Sequence, residues 1–296
     1  MPIVSLPGWI RRGWGISLHN QNKGLFITDF DRTLLRSDGT LAQRDLDALA
    51  TLTLRGIKTA VATGRSLYSF KTSPGVDLPV DYIIFTTGAG VVTQPQGKLV
   101  YRVNLSRDMV LQALDFFKES VFDFMLHDPV PDNHKFLYRR ATNSNTDFET
   151  RLERYQPFGR PFNAVPGNGF GEASQFLAVI PENSVDGVVA EVREALPGLS
   201  VIQTTSPMDH KSTWIELFHP DVSKSSTAAW LAAKLNVDPI NTAAIGNDYN
   251  DQDLLEWAAD SFVVENAPSD LRASFQTVAS NNDCGVAEAV DRWIAK

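Results

Sequence analysis

The chain of 296 residues has a single cysteine, Cys284, so no disulfide can form within it, and this usage suits a reducing compartment. It has no apolar stretch close to the roughly 20 residues that a membrane-spanning helix needs. Positive charge is scarce: 27 Lys and Arg stand against 35 Asp and Glu, a formal net charge of −8. That balance argues against a nucleic-acid partner, whose affinity rests on neutralising phosphates. It also disfavours an anionic membrane surface, although a local basic pocket for a phosphate ester stays compatible with it. The segment from Met1 to Lys23 carries Arg11 and Arg12, but Pro7, Gly8 and Gly13 break its apolar residues, and the continuous core of a signal peptide is missing. With Trp9 and Trp14 it reads as an N-terminal arm, either packed on the body or loose. A cytoplasmic location is expected. Internal repeats and low-complexity tracts are absent.

What is present is ordinary in bulk: 43% apolar and 21% charged residues, in a chain long enough for two domains and a sizeable core. The informative part is local. In Leu25-Phe26-Ile27-Thr28-Asp29-Phe30-Asp31-Arg32-Thr33-Leu34 an apolar run climbs a strand and ends in two aspartates one residue apart, followed by a threonine. A buried parallel strand excludes carboxylates from its middle but releases them at its carboxyl end, where open α/β sheets place ligands. Two acids crowded there repel unless a cation or a chemical task compensates. Alone, the pair also fits a solvated strand exit.

Three later segments add to it. Gly56-Ile57-Lys58-Thr59-Ala60-Val61-Ala62-Thr63-Gly64-Arg65 is a short strand ending in a hydroxyl and a glycine. Asp221-Val222-Ser223-Lys224 precedes a helical run. Thr242-Ala243-Ala244-Ile245-Gly246-Asn247-Asp248-Tyr249-Asn250-Asp251 is a strand that stops at glycine and spills into acids. Together they supply a carboxylate pair, a hydroxyl, a lysine and an acid cluster, the inventory that holds a phosphoryl group beside a divalent cation. On these four segments, in this order, the chain resembles the haloacid dehalogenase superfamily of phosphohydrolases, specifically the Cof-type sugar phosphatase branch with a large inserted C2-type cap. Asp81-Tyr82-Ile83-Ile84-Phe85-Thr86-Thr87-Gly88-Ala89-Gly90 is similar to that branch's passage into the cap. The resemblance runs from about Gly24 to the C-terminus.

The expected fold class is α/β, a Rossmann-like doubly wound parallel-sheet core with an inserted α+β cap domain. The strand, helix and strand alternation from Leu25 with short crossovers argues the parallel sheet. Leucines at 46, 49, 52 and 54 with Gly56 after them predict a helix over Leu41–Arg55, and Pro74-Gly75 marks a break. Between about Gly90 and Met208 the elements are mixed and carry no motif chemistry: strands near Val91–Thr93 and Leu99–Val103, a helix near Arg107–Ser120, then strands, a polar region up to Gly171, a strand, a helix and a strand. After Trp214–Leu217 the α/β rhythm resumes. The expected division is an arm over 1–23, a catalytic core over 24–90 and 211–296, and a cap over 91–210.

The resemblance implies that Asp29 is the nucleophile, giving an aspartyl-phosphate, and that Asp31 protonates the leaving alkoxide and later takes a proton from water. It makes Thr63, Gly64 and Lys224 the phosphate-binding set, and Mg²⁺ the cofactor, held among Asp29, Asp31, Asn247, Asp248 and Asp251. The last motif departs from the family's Gly-Asp-x-x-Asn-Asp: Asn247 stands where the metal-binding carboxylate is usual. Its amide oxygen can still ligate a hard cation without adding charge, or Asp248 can swing in by one position, with Asp251 acting directly or through water. Arg32, where glycine is commonest, Arg65 and Asn250 are substrate-binding candidates, Arg65 being equally suited to a surface ion pair.

His127-Asp128-Pro129-Val130-Pro131-Asp132-Asn133-His134 has metal-site residue types, but its prolines favour a substrate-facing or plain surface loop. Gly167-Asn168-Gly169-Phe170-Gly171 lacks the strand–loop–helix context of a dinucleotide site. Lys135, Arg139 and Arg140 line the cap's inner face or are merely exposed. The expected activity is a Mg²⁺-dependent phosphatase for a small phosphorylated metabolite, most simply a sugar phosphate. The alternatives are a phosphomannomutase-like phosphotransferase, a non-catalytic phosphate-binding protein and, least fitting because of the insertion, a receiver-like signalling domain. The oligomeric state is open.

Overall fold

Five buried residues, Leu25–Asp29, start the fold as β1, and apolar side chains on both faces, here Leu25, Phe26 and Ile27, are what a central parallel strand requires. The computed structural model describes residues 23–296 apart from 74–76, 119, 143, 163–170, 183–186, 207 and 210. The expected arm over 1–23, apart from Lys23, the Pro74-Gly75 break and nearly all of the glycine-rich loop at 167–171 lie outside the described residues. From β1 the chain runs through α1 (Gln43–Leu54), β2 (Lys58–Ala62), α2 (Leu67–Lys71), β3 (Tyr82–Phe85), β4 (Gly90–Thr93) and β5 (Leu99–Arg102). There follow α3 (Arg107–Phe117), β6 (Asp123–His127), β7 (Phe136–Arg139), α4 (Thr146–Arg154), β8 (Gly159–Pro161), β9 (Gln175–Ile180), α5 (Val188–Ala195), β10 (Ser200–Thr205) and β11 (Thr213–Phe218). The last part is α6 (Lys224–Lys234), β12 (Thr242–Gly246), α7 (Gln252–Trp257), β13 (Asp260–Val264), α8 (Ser269–Ser274), β14 (Gln276–Val278) and α9 (Gly285–Ile294).

Among the described residues the strands make two sheets. The first has eight strands in the order β14-β13-β12-β1-β2-β3-β4-β5, parallel except for β4 and β5, which return antiparallel. Its faces are covered by α1 and α9 on one side and α6 and α7 on the other, as the doubly wound expectation requires. Asp45 in α1 is fully buried and accepts a hydrogen bond from the Ala287 N–H at 2.7 Å, which pins the start of α9 to α1. The second sheet, β10-β11-β9-β6-β7-β8, is antiparallel apart from β7 and β8. Leu126, Phe176, Ala178, Ile215 and Leu217 on one face pack against α3 and α5. Met125, Phe136, Leu177, Val179 and Trp214 on the other pack against Phe148 and Leu152 of α4.

The sheets do not follow the expected divisions at 90/91 and 210/211. β4 and β5 extend the first sheet, because Val91 and Val92 supply its buried edge. β11 lies in the middle of the second sheet, paired with β10 and β9, so the chain returns to the first sheet only after Phe218. α4 was expected as part of a polar region, not as a helix.

The loops joining the sheets set the site. After β3, Thr86 and Thr87 adopt φ of 51° and 55° and Gly88 107°. Only glycine fits at 88, since a Cβ there would lie 2.3 Å from the Ser223 carbonyl oxygen. This close approach lets Thr227 Oγ1 donate to the Gly88 carbonyl at 2.8 Å, docking the start of α6 and its Lys224 on the strand ends.

Candidate active site

At the carboxyl end of β1, Asp29 is 5% exposed and Lys224 1%. Lys224 Nζ donates to Asp29 Oδ1 at 2.8 Å and to Asp251 Oδ1 at 2.5 Å, and Asp251 is fully buried. One ammonium thus bridges two enclosed carboxylates. Burial, then the Asp251 charge, push the Asp29 carboxyl up to about 7 despite the opposing pull of Lys224. Burial works against the Lys224 ammonium, but the charges of Asp251 and Asp29 outweigh it and hold the ammonium above its ordinary value.

Asp251 is tied on its other oxygen as well: Oδ2 accepts from the N–H groups of Asn247 at 2.9 Å and Asp248 at 3.2 Å. Gly246 makes room for this, as a Cβ there would lie 2.5 Å from the Asp251 Cβ. Asp251 therefore fixes Lys224 and the loop after β12, and its oxygens are spent on those tasks. Asp248 is exposed and caps the following turn by accepting from the Tyr249 N–H at 2.8 Å. Asn250 is half-buried in the same turn, outside the network around Lys224.

Asp31 has a divided role. Its carboxylate is gripped in a fork by Arg65, Nε to Oδ2 at 2.8 Å and Nη2 to Oδ1 at 2.6 Å. Arg65 also donates through Nη1 to Ser73 Oγ, and its guanidinium lies over the Phe30 ring at 5.3 Å. Arg65 does form an ion pair, with the candidate proton donor itself. The Asp31 backbone carbonyl points elsewhere, toward Asn247. Turned with its nitrogen inward, the Asn247 amide donates to Asp31 O at 2.9 Å, Thr33 Oγ1 at 3.1 Å and Asp29 Oδ2 at 3.3 Å. Thr33, visible in the sequence only as the threonine after the aspartate pair, gains a role here.

The same geometry tests a divalent cation. Turned with its oxygen inward, Asn247 presents an amide oxygen at those distances from the Asp31 carbonyl and Asp29 Oδ2. Adjacent oxygens of an octahedron with bonds of about 2.0–2.1 Å are about 3 Å apart, so the spacing of the Asn247 amide oxygen from each of the other two suits a hard cation such as Mg²⁺. No group of three or more His, Cys, Asp or Glu side chains is placed to hold a metal among the described residues. A cation here rests on one carboxylate, one backbone carbonyl and one amide. Asp248 and the Asp251 side chain are not brought to it.

Thr63 follows β2 directly, 1% exposed, its Oγ1 accepting from the Arg65 N–H at 3.1 Å and its hydroxyl hydrogen left to donate. Gly64 is exposed beside it. Arg32 is exposed with φ 59°, the left-handed conformation that accounts for glycine being common there, and its carbonyl is held by Asn266 Nδ2 at 2.9 Å. In the second sheet, Arg139 donates to the Phe117 and Ser120 carbonyls at the end of α3, Arg140 pairs with Glu149 and Lys135 with Asp132. These three side chains are thus engaged within the second sheet and its helices. His127 and His134 do not form a metal site either: His127 Nδ1 bonds to the Asn133 carbonyl at 2.8 Å, and His134 stacks on Tyr68 of α2 at 4.7 Å.

Comparison with known proteins places this arrangement: residues 26–290 match the haloacid dehalogenase-like hydrolases. The chain belongs to that family. As a haloacid dehalogenase-like hydrolase it is 24% identical over 275 residues to the putative phosphatase YxeH of Bacillus subtilis, across 91% of this chain and 98% of that protein. It is 26% identical over 300 residues to the chloroplastic endoribonuclease YBEY of Arabidopsis thaliana, across 96% of this chain. The hydrolase spans about half of that relative, 48% of its length. Its fold is shared with a haloalkanoate superfamily phosphatase from Bacteroides thetaiotaomicron (TM-score 0.77, 19% identity, 96% and 100% of the two chains covered). It is shared also with a subclass IIB sugar phosphatase (TM-score 0.69, 16% identity, 92% and 100% covered). No helix among the hydrolase's described residues is long and apolar enough to cross a membrane.

Proposed function

We propose that this hydrolase is a cytoplasmic, Mg²⁺-dependent phosphatase of small phosphate esters, working through an aspartyl-phosphate on Asp29. The single observation that carries the reading is the buried Lys224 bridge between Asp29 and Asp251, at the end of a parallel strand and two residues from Asp31. The eight-stranded sheet is the catalytic core in this reading, and the six-stranded sheet with its helices is the cap.

Asp29 forms a bond to phosphorus while the ester oxygen leaves and takes a proton from Asp31. Water then attacks phosphorus, Asp31 recovers the proton, and the Asp29–phosphorus bond breaks to free phosphate. Lys224, held by Asp251, lies against the nucleophile and offsets the charge of the transferring group. Thr63 Oγ1 and the N–H of Gly64 donate to phosphoryl oxygens. Arg65 engages both Asp31 oxygens, so one must be freed before it reaches the leaving oxygen. Asp29, the Asp31 carbonyl and Asn247 would hold Mg²⁺, which would supply positive charge against the phosphoryl group. Arg32 and Asn250 flank the opening and contact the rest of the substrate.

One observation favours a second reading, a non-catalytic phosphate-binding protein: the Asn247 amide satisfies the oxygens that a cation would otherwise bridge. Hydrolysis of p-nitrophenyl phosphate with and without Mg²⁺, beside Asp29→Asn, separates the two. Metal-dependent turnover that is lost in Asp29→Asn is expected. No turnover at any Mg²⁺ concentration, with a panel of metabolite phosphates also left intact, would overturn the phosphatase reading in favour of the second.

A further inference from the structure

The segment after the acid pair is held from outside its own strand. β13 and β14 bring no motif residue to the site, yet the loops at their carboxyl ends supply three asparagines that bind residues 32–37. Asn266, after β13, donates through Nδ2 to the Arg32 carbonyl at 2.9 Å. Its Oδ1 accepts from the Asn281 N–H at 2.9 Å, so both ends of the amide are engaged. Asn281, 1% exposed, donates through Nδ2 to the Leu35 carbonyl at 3.0 Å. Asn282 accepts from the Ser37 N–H at 3.0 Å.

The bond to Arg32 acts on a strained residue. Arg32 has φ 59°, which presses the Cβ of any residue but glycine against its own backbone. Its side chain is exposed, so packing does not offset that strain. Strained dihedrals persist only where the surrounding structure over-determines them. Inside the turn, the Phe30 carbonyl accepts from the Leu35 N–H at 2.8 Å and from the Thr33 N–H at 3.4 Å. From outside, Asn266 closes on the carbonyl of Arg32 itself. The Arg32 dihedrals fix how Asp31 and Thr33 stand relative to each other. Both reach the same Asn247 amide, the Asp31 carbonyl oxygen at 2.9 Å and Thr33 Oγ1 at 3.1 Å.

We propose that Asn266, backed by Asn281, is a positioning residue. By holding Arg32 in the left-handed conformation it sets the Asp31 carbonyl and the Thr33 hydroxyl together at Asn247. Asn266 acts only through Arg32. As an account of catalysis this rests on the phosphatase reading, in which the Asp31 carbonyl is one of the oxygens for the cation; the hold on Arg32 is testable without turnover.

Asn266→Asp keeps the shape of the side chain and the bond from Asn281, but turns the donor that faces Arg32 into an acceptor. Amide hydrogen exchange of residues 31–37 in EDTA is measured by mass spectrometry for Asn266→Asp and Asn266→Ala, each alone and with Arg32→Gly. Glycine takes a φ of this sign without strain, so the anchor should matter less once it is there. With Arg32 in place, either substitution should speed exchange about tenfold or more. Measured against Arg32→Gly alone, the same substitution should speed it less than about threefold. The kcat for p-nitrophenyl phosphate in Mg²⁺ should follow the same pattern, a fall of about tenfold that shrinks to within about threefold. An electrostatic effect of the new carboxylate would run the other way, growing once the Arg32 charge is gone, and Asn266→Ala adds no charge.

Circular dichroism checks that each variant is folded. Asn266→Ala stands as the test if Asn266→Asp is not, and the proposal fails if neither folds. Equal effects in the two backgrounds, or exchange unmoved by either substitution, overturn the hold on Arg32. Faster exchange with an unmoved kcat overturns the positioning role. Absence of turnover in the unsubstituted chain would instead refute the phosphatase reading, and the exchange pattern would still decide the hold on Arg32.

Discussion

Replacing Lys224 by methionine removes the one positive charge between two enclosed acids while keeping the volume of the stem. In the native arrangement Nζ lies 2.8 Å from Asp29 and 2.5 Å from Asp251, and the three side chains are almost wholly out of water. Breaking a buried ion pair by deleting one partner costs about 3–5 kcal/mol, because a charge is left without compensation. Here two carboxylates are left facing each other. The Asp29 carboxyl, already raised to about 7 with the lysine present, rises further without it. A carboxyl whose folded pKa exceeds its unfolded value of about 3.9 loses stability as pH rises from that value through the folded one, since the folded state binds the extra proton. The Lys224→Met penalty should therefore be largest at pH 8 and shrink by about half at pH 5, where the folded state is protonated. Guanidinium denaturation in EDTA at both pH values measures it. Adding Asp251→Asn should recover part of the loss at pH 8, because one of the two acids is then neutral. A penalty that is the same at pH 5 and pH 8, or a double variant less stable than Lys224→Met, would refute the reasoning.

Asn247→Asp puts a carboxylate among the oxygens that fit a cation, so Mg²⁺ affinity measured calorimetrically without substrate should rise about tenfold or more. In EDTA the same variant should lose about 1–3 kcal/mol at pH 8, as the new charge replaces an amide that donates to Asp29; unchanged affinity and stability would sink that account of the amide. Gly246→Ala drives a methyl group to within 2.5 Å of the Asp251 Cβ, which should cost about 1–3 kcal/mol in urea unfolding. It should also lower kcat by displacing the residue that fixes Lys224, and native stability with native kcat would show that Asp251 is free to move.

The parallel core was legible in the sequence because its signals are local. Each strand that ends at the site is a short apolar run that stops at an acid, a hydroxyl or a glycine, and β12 runs from Thr242 to Gly246 as expected. Sheet membership was not legible, since β4, β5 and β11 carry no mark of which sheet they join; that is decided by partners elsewhere in the chain. α4 was missed because only Phe148 and Leu152 of its nine residues are deeply buried and apolar, and its start is signalled by a single capping residue, Asn145. The motif acids were visible as residue types, but their division of labour was not. Asp251 serving Lys224, Asp31 held by Arg65 and Asp248 capping a turn are all hydrogen-bonding facts.

The bond between Lys224 and Asp29 joins residues 195 positions apart, and β1 lies between β2 and β12. The six-stranded sheet, by contrast, uses one continuous stretch, from Asp123 to Phe218. During synthesis the second sheet can therefore complete while β1 waits with one edge unpaired, a strand of five enclosed residues open to misassociation until β12 leaves the ribosome. The sheet that is complete first is the one whose strands are contiguous in the chain, and a truncated chain ending before Thr242 has every strand of the six-stranded sheet but lacks β12, one of the two neighbours of β1.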